Sequence, residues 1–171
     1  MKEITYSPIG IIHTPFKTIK NVPIQPVAAI GIEGTVELEA SYCEGLQDVT
    51  GFSHIVLIYH FHLSNGFSLK VVPFLDTATR GVFSTRAPRR PNPIGLSVVE
   101  LTGIDGNVLF IKNVDMVDGT PLLDIKPHIP DFAGGSPVRT GWFSCRPVKN
   151  LNRVADERFK DGTDDRDKKG D

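Results

Sequence analysis

The densest concentration of chemistry in the chain lies in residues 81–97, GVFSTRAPRRPNPIGLS, where three arginines (Arg86, Arg89, Arg90), three prolines and two glycines fall within seventeen residues. Arginine presents a planar fork of donors suited to carboxylates and phosphates. Proline fixes its own φ and biases the residue before it away from helix. Pro88, Pro91 and Pro93 therefore stiffen residues 87–94 into an extended arm between two apolar runs. Such an arm suits the gripping of an anion or a planar polar ligand, and the plain alternative is a solvated, proline-stiffened surface loop. With Arg80 included, four arginines occur with no acidic residue between Asp76 and Glu100. That patch can pair with phosphates or stack on bases. Phe74 and Phe83 could add aromatic surface, but both read as core.

Two further groups carry titratable side chains. His54, His60 and His62 share one face if residues 52–63 form a strand. Histidines at i and i+2 can begin a metal site, but catalytic zinc needs a third ligand and oriented partners behind it. His128, Asp124 and Asp76 are the available completions, with no spacing that brings them near, so no metal is expected. Packed histidines, or one ligand-facing histidine at the strand end, account for the same pattern. Asp115, Asp118 and Asp124 surround the stretch DGTPLLD. Carboxylates so placed serve acid–base work or Mg²⁺, although Asp118-Gly119 is equally a turn dipeptide. Asp124 and Lys126 share a strand face and read as an ion pair. There is no G-x-S-x-G elbow, no P-loop and no G-x-G-x-x-G after a strand, which speaks against serine hydrolases and Rossmann-type nucleotide enzymes.

The elements that must position these residues read mainly as strands. Apolar or alternating runs at 9–12, 32–39, 52–63, 69–75, 94–104, 108–114 and 122–125 are separated by Pro/Gly turns, with Asp105-Gly106-Asn107 as a hairpin. Ser41 and Glu44 form a capping-box pattern ahead of one short helix at 42–48. The expected fold is all-β and mostly antiparallel, a β-barrel-like single domain over residues 1–150 with a charged tail, frayed or disordered, over 151–171. A length of 171 residues suits one domain with a real core, and a formal net charge of −1 gives no global case for nucleic acid. Cys43 and Cys145 are far apart without metal-ligand spacing, and no apolar run reaches membrane-spanning length. A soluble, cytoplasmic protein is expected.

Taken in order, IGIIHTPF, PIQ at 23–25, GFSHIVLIYHFH, GVFSTRAPRRPNPIGLS, DMVDGTPLLDIKPHIPDF and RTGW resemble the TrmO/TsaA-like family of tRNA adenosine N6-methyltransferases. The central motif is specific, because TR-x-P-x-RPNPIGLS has no generic structural reason to recur. The resemblance implies a β-barrel-like fold, S-adenosylmethionine as cofactor and a homodimer. It also implies methylation of N6 on the threonylcarbamoyl-modified adenosine just 3′ of the anticodon in tRNA. Carried over by motif, the cofactor contacts fall on Pro23, Ile24, Gln25, His62, Leu63, Arg86, Leu96, Asp118, Gly119, Thr120 and Pro121. Ile24 and Leu63 depart from the polar residues common in the family, so contacts there would be through backbone or apolar surface. Bacterial members often carry a further C-terminal domain that helps hold tRNA, where this sequence has its charged tail.

Transfer from a sulfonium is an in-line displacement governed by positioning and electrostatics. Arg86 or the backbone N–H groups of the VDGT turn suit the cofactor's carboxylate. His62 and Asp118 are the candidate catalytic proton acceptors, and Arg89 and Arg90 the candidates for RNA phosphates. An anticodon-loop adenosine can be splayed out for such chemistry. The competing readings are a non-catalytic S-adenosylmethionine-sensing or RNA-binding module, and a methyltransferase acting on a small molecule.

Overall fold

The computed structural model describes residues 2–24, 28–130, 139–142 and 154–155. Among these, eight strands follow the chain: β1 (Gly10–His13), β2 (Glu33–Leu38), β3 (His54–His60), β4 (Lys70–Val71), β5 (Arg80–Gly81), β6 (Ile94–Asp105), β7 (Val108–Lys112) and β8 (Thr120–Pro127). Six of them close a barrel in the order β1-β2-β7-β6-β3-β8, every pairing antiparallel. Closure is made by β8 on β1, with Gly10 opposite Leu122 and Ile12 opposite Thr120. The all-β, barrel-like expectation is met, and β4 and β5 form a small separate ribbon.

Side-chain alternation decides what the barrel encloses. Ile55, Leu57 and Tyr59 of β3 are buried, whereas His54, Val56, Ile58 and His60 lie on the outer face. Val36 and Leu38 of β2 point inward beside Ile12, Leu109 and Leu122, and Glu33 and Glu37 point out. The β6–β7 hairpin turns at Asp105–Val108 as its Asp-Gly-Asn sequence requires. A second, smaller cluster of Val71, Val82 and Ala87 with Phe74 against it lies under the arginine arm.

Two local expectations are corrected. The helix expected at 42–48 is a 3-10 segment, Ala40–Leu46, followed by a second short turn at Val49–Gly51. Glu39 stands at its start with no side-chain cap, so the Ser41/Glu44 capping box does not form. The segment buries no side chain, and seven residues containing Gly45 have little to drive a full α-helix without a packed face. The strand expected at 69–75 shrinks to the two residues of β4. Pro73 has no N–H for a ladder, and the Asp76 N–H turns back to its carbonyl at 3.0 Å.

Val154 and Ala155 are held against the start of the chain: Val154 bridges Pro23, and the Ala155 N–H donates to Val22 O at 2.6 Å. The other residues of the expected tail, and Gln25, lie outside the described residues. No helix among the described residues is long and apolar enough to cross a membrane.

One close approach shapes the barrel mouth. Tyr59 sits directly opposite Gly95 across the β3–β6 ladder, and a Cβ on Gly95 would run into the tyrosine ring. Gly95→Ala should therefore displace Tyr59 and destabilise the fold by roughly 1–3 kcal/mol, the usual cost of overpacking. Urea denaturation, compared with the open-space control Gly81→Ala, checks it.

Candidate active site at one mouth of the barrel

Three strand ends meet at one mouth. His60 at the end of β3 pairs with Ile94 at the start of β6, and Tyr59 pairs with Leu122 near the start of β8. The β3–β8 register slips between Ile58 and Tyr59, the kind of bulge that re-aims side chains at barrel rims. Beyond β3 the Phe61 N–H donates to Pro93 O at 2.8 Å, after which the His62 N–H returns to His60 O and the Ser64 N–H to Phe61 O. That reversal takes His62 off the strand face assigned by simple alternation and sets its Nδ1 3.4 Å from Thr120 Oγ1.

The protonation of His62 follows from its neighbour. Thr120 has one hydroxyl proton, and it goes to Val117 O at 2.6 Å. Thr120 Oγ1 can then only accept from His62, which puts the ring proton on Nδ1 and leaves a lone pair on Nε2. Burial, followed by the charge of His60, lowers the His62 pKa. The ring is thus neutral at physiological pH and able to take a proton.

A buried chain of hydroxyls ends on a carboxylate beside it. Ser97 Oγ donates to Asp115 Oδ1 at 2.6 Å, which leaves Tyr59 OH to donate to Ser97 Oγ at 3.0 Å. Tyr59 and Ser97 are buried. Desolvation pushes the Asp115 pKa up to about 6, against the opposing pull of the Ser97 hydrogen bond, its own backbone and Arg86. Burial likewise raises the Tyr59 hydroxyl well beyond its ordinary value. A near-buried carboxyl with such a shift, in the field of an arginine, makes Asp115 a candidate functional position. Sequence reasoning grouped Asp115 with the turn carboxylates and did not foresee this hydroxyl chain. The signal was faint, because Ser97 and Asp115 meet only once β6 and β7 have folded back on each other.

Asp118 behaves differently. Its Oδ2 accepts from Lys17 Nζ at 2.8 Å and its Oδ1 from the Thr14 N–H at 3.0 Å, with His13 Nδ1 3.6 Å away. The Lys17 hydrogen bond above all, then the Thr14 N–H, holds its pKa below the usual carboxylate range. A carboxylate so well satisfied is a poor proton acceptor. It lines a separate cleft of about 700 Å³ with His13, Lys17, Glu33 and Phe110, away from His62 and Arg86. The turn's N–H groups are also committed: Asp118 donates to Phe16 O at 2.7 Å and Gly119 to Ile12 O at 3.0 Å. Gly119 is required there, with φ of +76°. Neither N–H group is therefore open to a ligand, which leaves Arg86 as the nearby cation to consider. It is exposed and makes no ion pair or hydrogen bond among the described residues.

The arginines of this region divide between those bound within the fold and those without a hydrogen-bond partner among the described residues. Arg80 is tied to the buried Asp76 at 2.8 Å and lies 5.3 Å from the Trp142 ring. Arg90 Nη1 donates to the carbonyls of Val82, Thr85 and Ala87 at 3.3, 2.9 and 3.4 Å. Arg90 is thus a strut of the arm, turned to its own carbonyls, whereas Arg89 Nε is buried and has no hydrogen-bond partner among the described residues. Leu63 and Leu96 are both exposed, Leu96 by 47%. Pro121 stands in β8 opposite Ile11. Pro23 is placed by the Val154–Ala155 pairing with Ile24 next to it in the chain, and no hydrogen bond joins them to His62 or Arg86 among the described residues. The ion pair expected between Asp124 and Lys126 is present at 2.8 Å. Among the described residues no three His, Cys, Asp or Glu side chains converge as a metal site would require.

The Asp115 shift has a direction in stability. A carboxyl whose folded pKa lies above its ordinary value of 3.8 contributes stability present below about pH 4 and lost as pH rises through about 6. By pH 7 its ionisation in this site costs on the order of 3 kcal/mol. Asp115→Asn should match the parent at pH 4 and exceed it in stability at pH 7, as read by denaturant unfolding across that range.

Residues 11–133, nearly the whole barrel and its mouth, match the family described as the tRNA-methyltransferase O N-terminal domain. The chain is 54% identical over 154 residues to a probable S-adenosyl-L-methionine-binding protein of Pyrococcus abyssi, covering 90% of this chain and 83% of that protein. It is 37% identical over 147 residues to a tRNA (adenine(37)-N6)-methyltransferase of Escherichia coli, covering 80% of this chain and 62% of that one. Its structure is similar to the crystal structure of TrmO from Pseudomonas aeruginosa, with a TM-score of 0.68 and 36% identity over 82% of this chain and 63% of that one. The chain thus spans less than two thirds of the length of these last two proteins. A match that runs through the barrel, the arginine arm and the DGTP turn together places it: the chain belongs to the tRNA-methyltransferase O N-terminal domain family.

Proposed function

We propose that this chain is an S-adenosylmethionine-dependent methyltransferase that methylates N6 of the threonylcarbamoyl-modified adenosine 3′ of the anticodon in tRNA. The observation that carries the reading is the grouping around loop 113–119. A neutral imidazole with a free Nε2, an unpaired guanidinium at Arg86 and the Tyr59–Ser97–Asp115 chain border that loop, beside an arm built for anions. The name of the E. coli relative supplies the substrate class, and the name of the Pyrococcus relative supplies the cofactor.

S-adenosylmethionine, when bound, supplies a methyl group on a sulfonium that is open to in-line displacement. The residues present fit it. Arg86 is the free cation for its carboxylate, within the field of Asp115, and Leu63 and Leu96 offer exposed apolar surface. Pro23, Ile24, Gln25, Gly119, Thr120 and Pro121 complete the set, and Asp118 contributes by shaping the turn. His62 Nε2 takes the proton that N6 must lose, and Arg89 holds a backbone phosphate of the anticodon loop.

The protein acts as a cytoplasmic homodimer in this reading. Leu96 stands beside Ile58, and Ile94 beside His60, on the outside of the barrel. With Val56 and Val98 they form an apolar strip along β3 and β6, which a second copy would cover. Ile94→Glu should shift the protein to monomer in sedimentation, with far-UV circular dichroism unchanged.

The decisive assay supplies labelled S-adenosylmethionine and tRNA with or without the threonylcarbamoyl group. We expect transfer to the modified tRNA, lost after ribonuclease treatment. The rate should rise with pH through an apparent pKa below 6.5, the ordinary histidine value, and level off by neutral pH. Arg86→Ala should weaken cofactor binding by about 1.5–3 kcal/mol. Cofactor binding without transfer to any tRNA would favour the non-catalytic reading, which the Pyrococcus relative's name, limited to binding, also allows. Transfer that survives ribonuclease would point to a small-molecule substrate.

A further inference from the structure

Phe83 contradicts its expected place in the core: it is 74% exposed. Its backbone is held unusually firmly. It sits in the middle of a 3-10 turn, Val82–Ser84, between the fully buried Val82 and Ser84, whose carbonyl accepts from Trp142 Nε1 at 2.8 Å. The Thr85 N–H and Oγ1 both return to Val82 O, and Arg90 bonds the same carbonyl. The Arg90 guanidinium lies 5.9 Å from the Phe83 ring centroid. The result is a large apolar ring turned to solvent on a well-held turn, with a guanidinium over it.

Charge selects the occupant. From Thr77 to Val99 the chain holds four arginines and no acidic residue, and two of them, Arg86 and Arg89, have no partner among the described residues. The neighbouring segment, tied on by Ser68 N–H to Arg89 O and Val82 N–H to Leu69 O, adds a second exposed ring, Phe67, at 57%. Exposed aromatic faces interleaved with unpaired guanidinium groups match single-stranded nucleic acid, where bases stack on rings and cations follow the phosphates. We propose that Phe83 is a stacking platform for an unpaired base of the RNA substrate, with Arg89, six residues along the same arm, as a phosphate contact. This rests on the tRNA reading above and adds to it the surface by which the loop is held.

The test uses full-length protein and a fluorescent tRNA anticodon stem-loop, with affinity followed by anisotropy over a salt series. Phe83→Ala should weaken RNA binding about tenfold, the loss typical of one base–aromatic stack. Phe83→Trp should restore it, with cofactor affinity and sedimentation unchanged in both. Phe83→Ala should leave the salt slope intact, whereas Arg89→Gln should reduce it by about one. Equal RNA affinity for the parent and Phe83→Ala overturns this inference alone. A change of oligomeric state in Phe83→Ala overturns it in favour of a protein-binding surface. Failure of the parent to bind any tRNA overturns the substrate reading itself, and this proposal with it.

Discussion

The mouth of this barrel depends on one contact, the Tyr59 ring lying across Gly95. With no Cβ at residue 95, the two strands approach while a large side chain still packs flat between them. The ring carries its hydroxyl to Ser97, two residues along β6, and Ser97 passes the hydrogen bond to Asp115. A carboxylate from the loop before β8 is thereby tied to the strand pair that frames the opening. The same hydroxyl chain places a partly desolvated negative charge where Arg86 can feel it. Packing, polar satisfaction and electrostatics at the site thus rest on the absence of a single methyl group.

The arginine arm shows how a cationic motif is partitioned. A guanidinium carries five donors, enough to fasten a loop whose prolines leave carbonyls without ladder partners. Arg90 uses this capacity inward on three carbonyls, and Arg80 closes on Asp76 beneath Trp142. The arm is consequently rigid before any ligand arrives, so Arg86 and Arg89 are offered from a fixed frame at little further entropic cost. Trp142, part of the RTGW match, is explained by this buttressing through Ser84.

Asp115 and Asp118 illustrate why neighbouring carboxylates diverge. They are three residues apart, yet desolvation raises one while a lysine and a backbone N–H lower the other. Environments that push pKa values apart assign different work to identical groups. Asp118 fastens β1 and the residues after it to the turn, and Asp115 sits at the site.

Strand periodicity, turn dipeptides and proline placement by themselves determined the all-β class, the alternation along the strands, the β6–β7 hairpin and the stiffness of the arm. These follow from local geometry, in which period two and fixed φ act over a few residues. The motif matches likewise marked His62, Arg86 and the DGTP turn. Only the tertiary structure decided which of these groups remain available. Whether Arg90 faces RNA or its own loop, whether Asp118 is free or paired with Lys17, and whether Phe83 is core or surface depend on partners outside its own strand or turn. Ser97 and Asp115 are eighteen residues apart, and Thr14 and Asp118 more than a hundred. Burial and hydrogen-bond satisfaction are set by those long-range pairings, so residue type and spacing could nominate the site while the closed barrel chose its members.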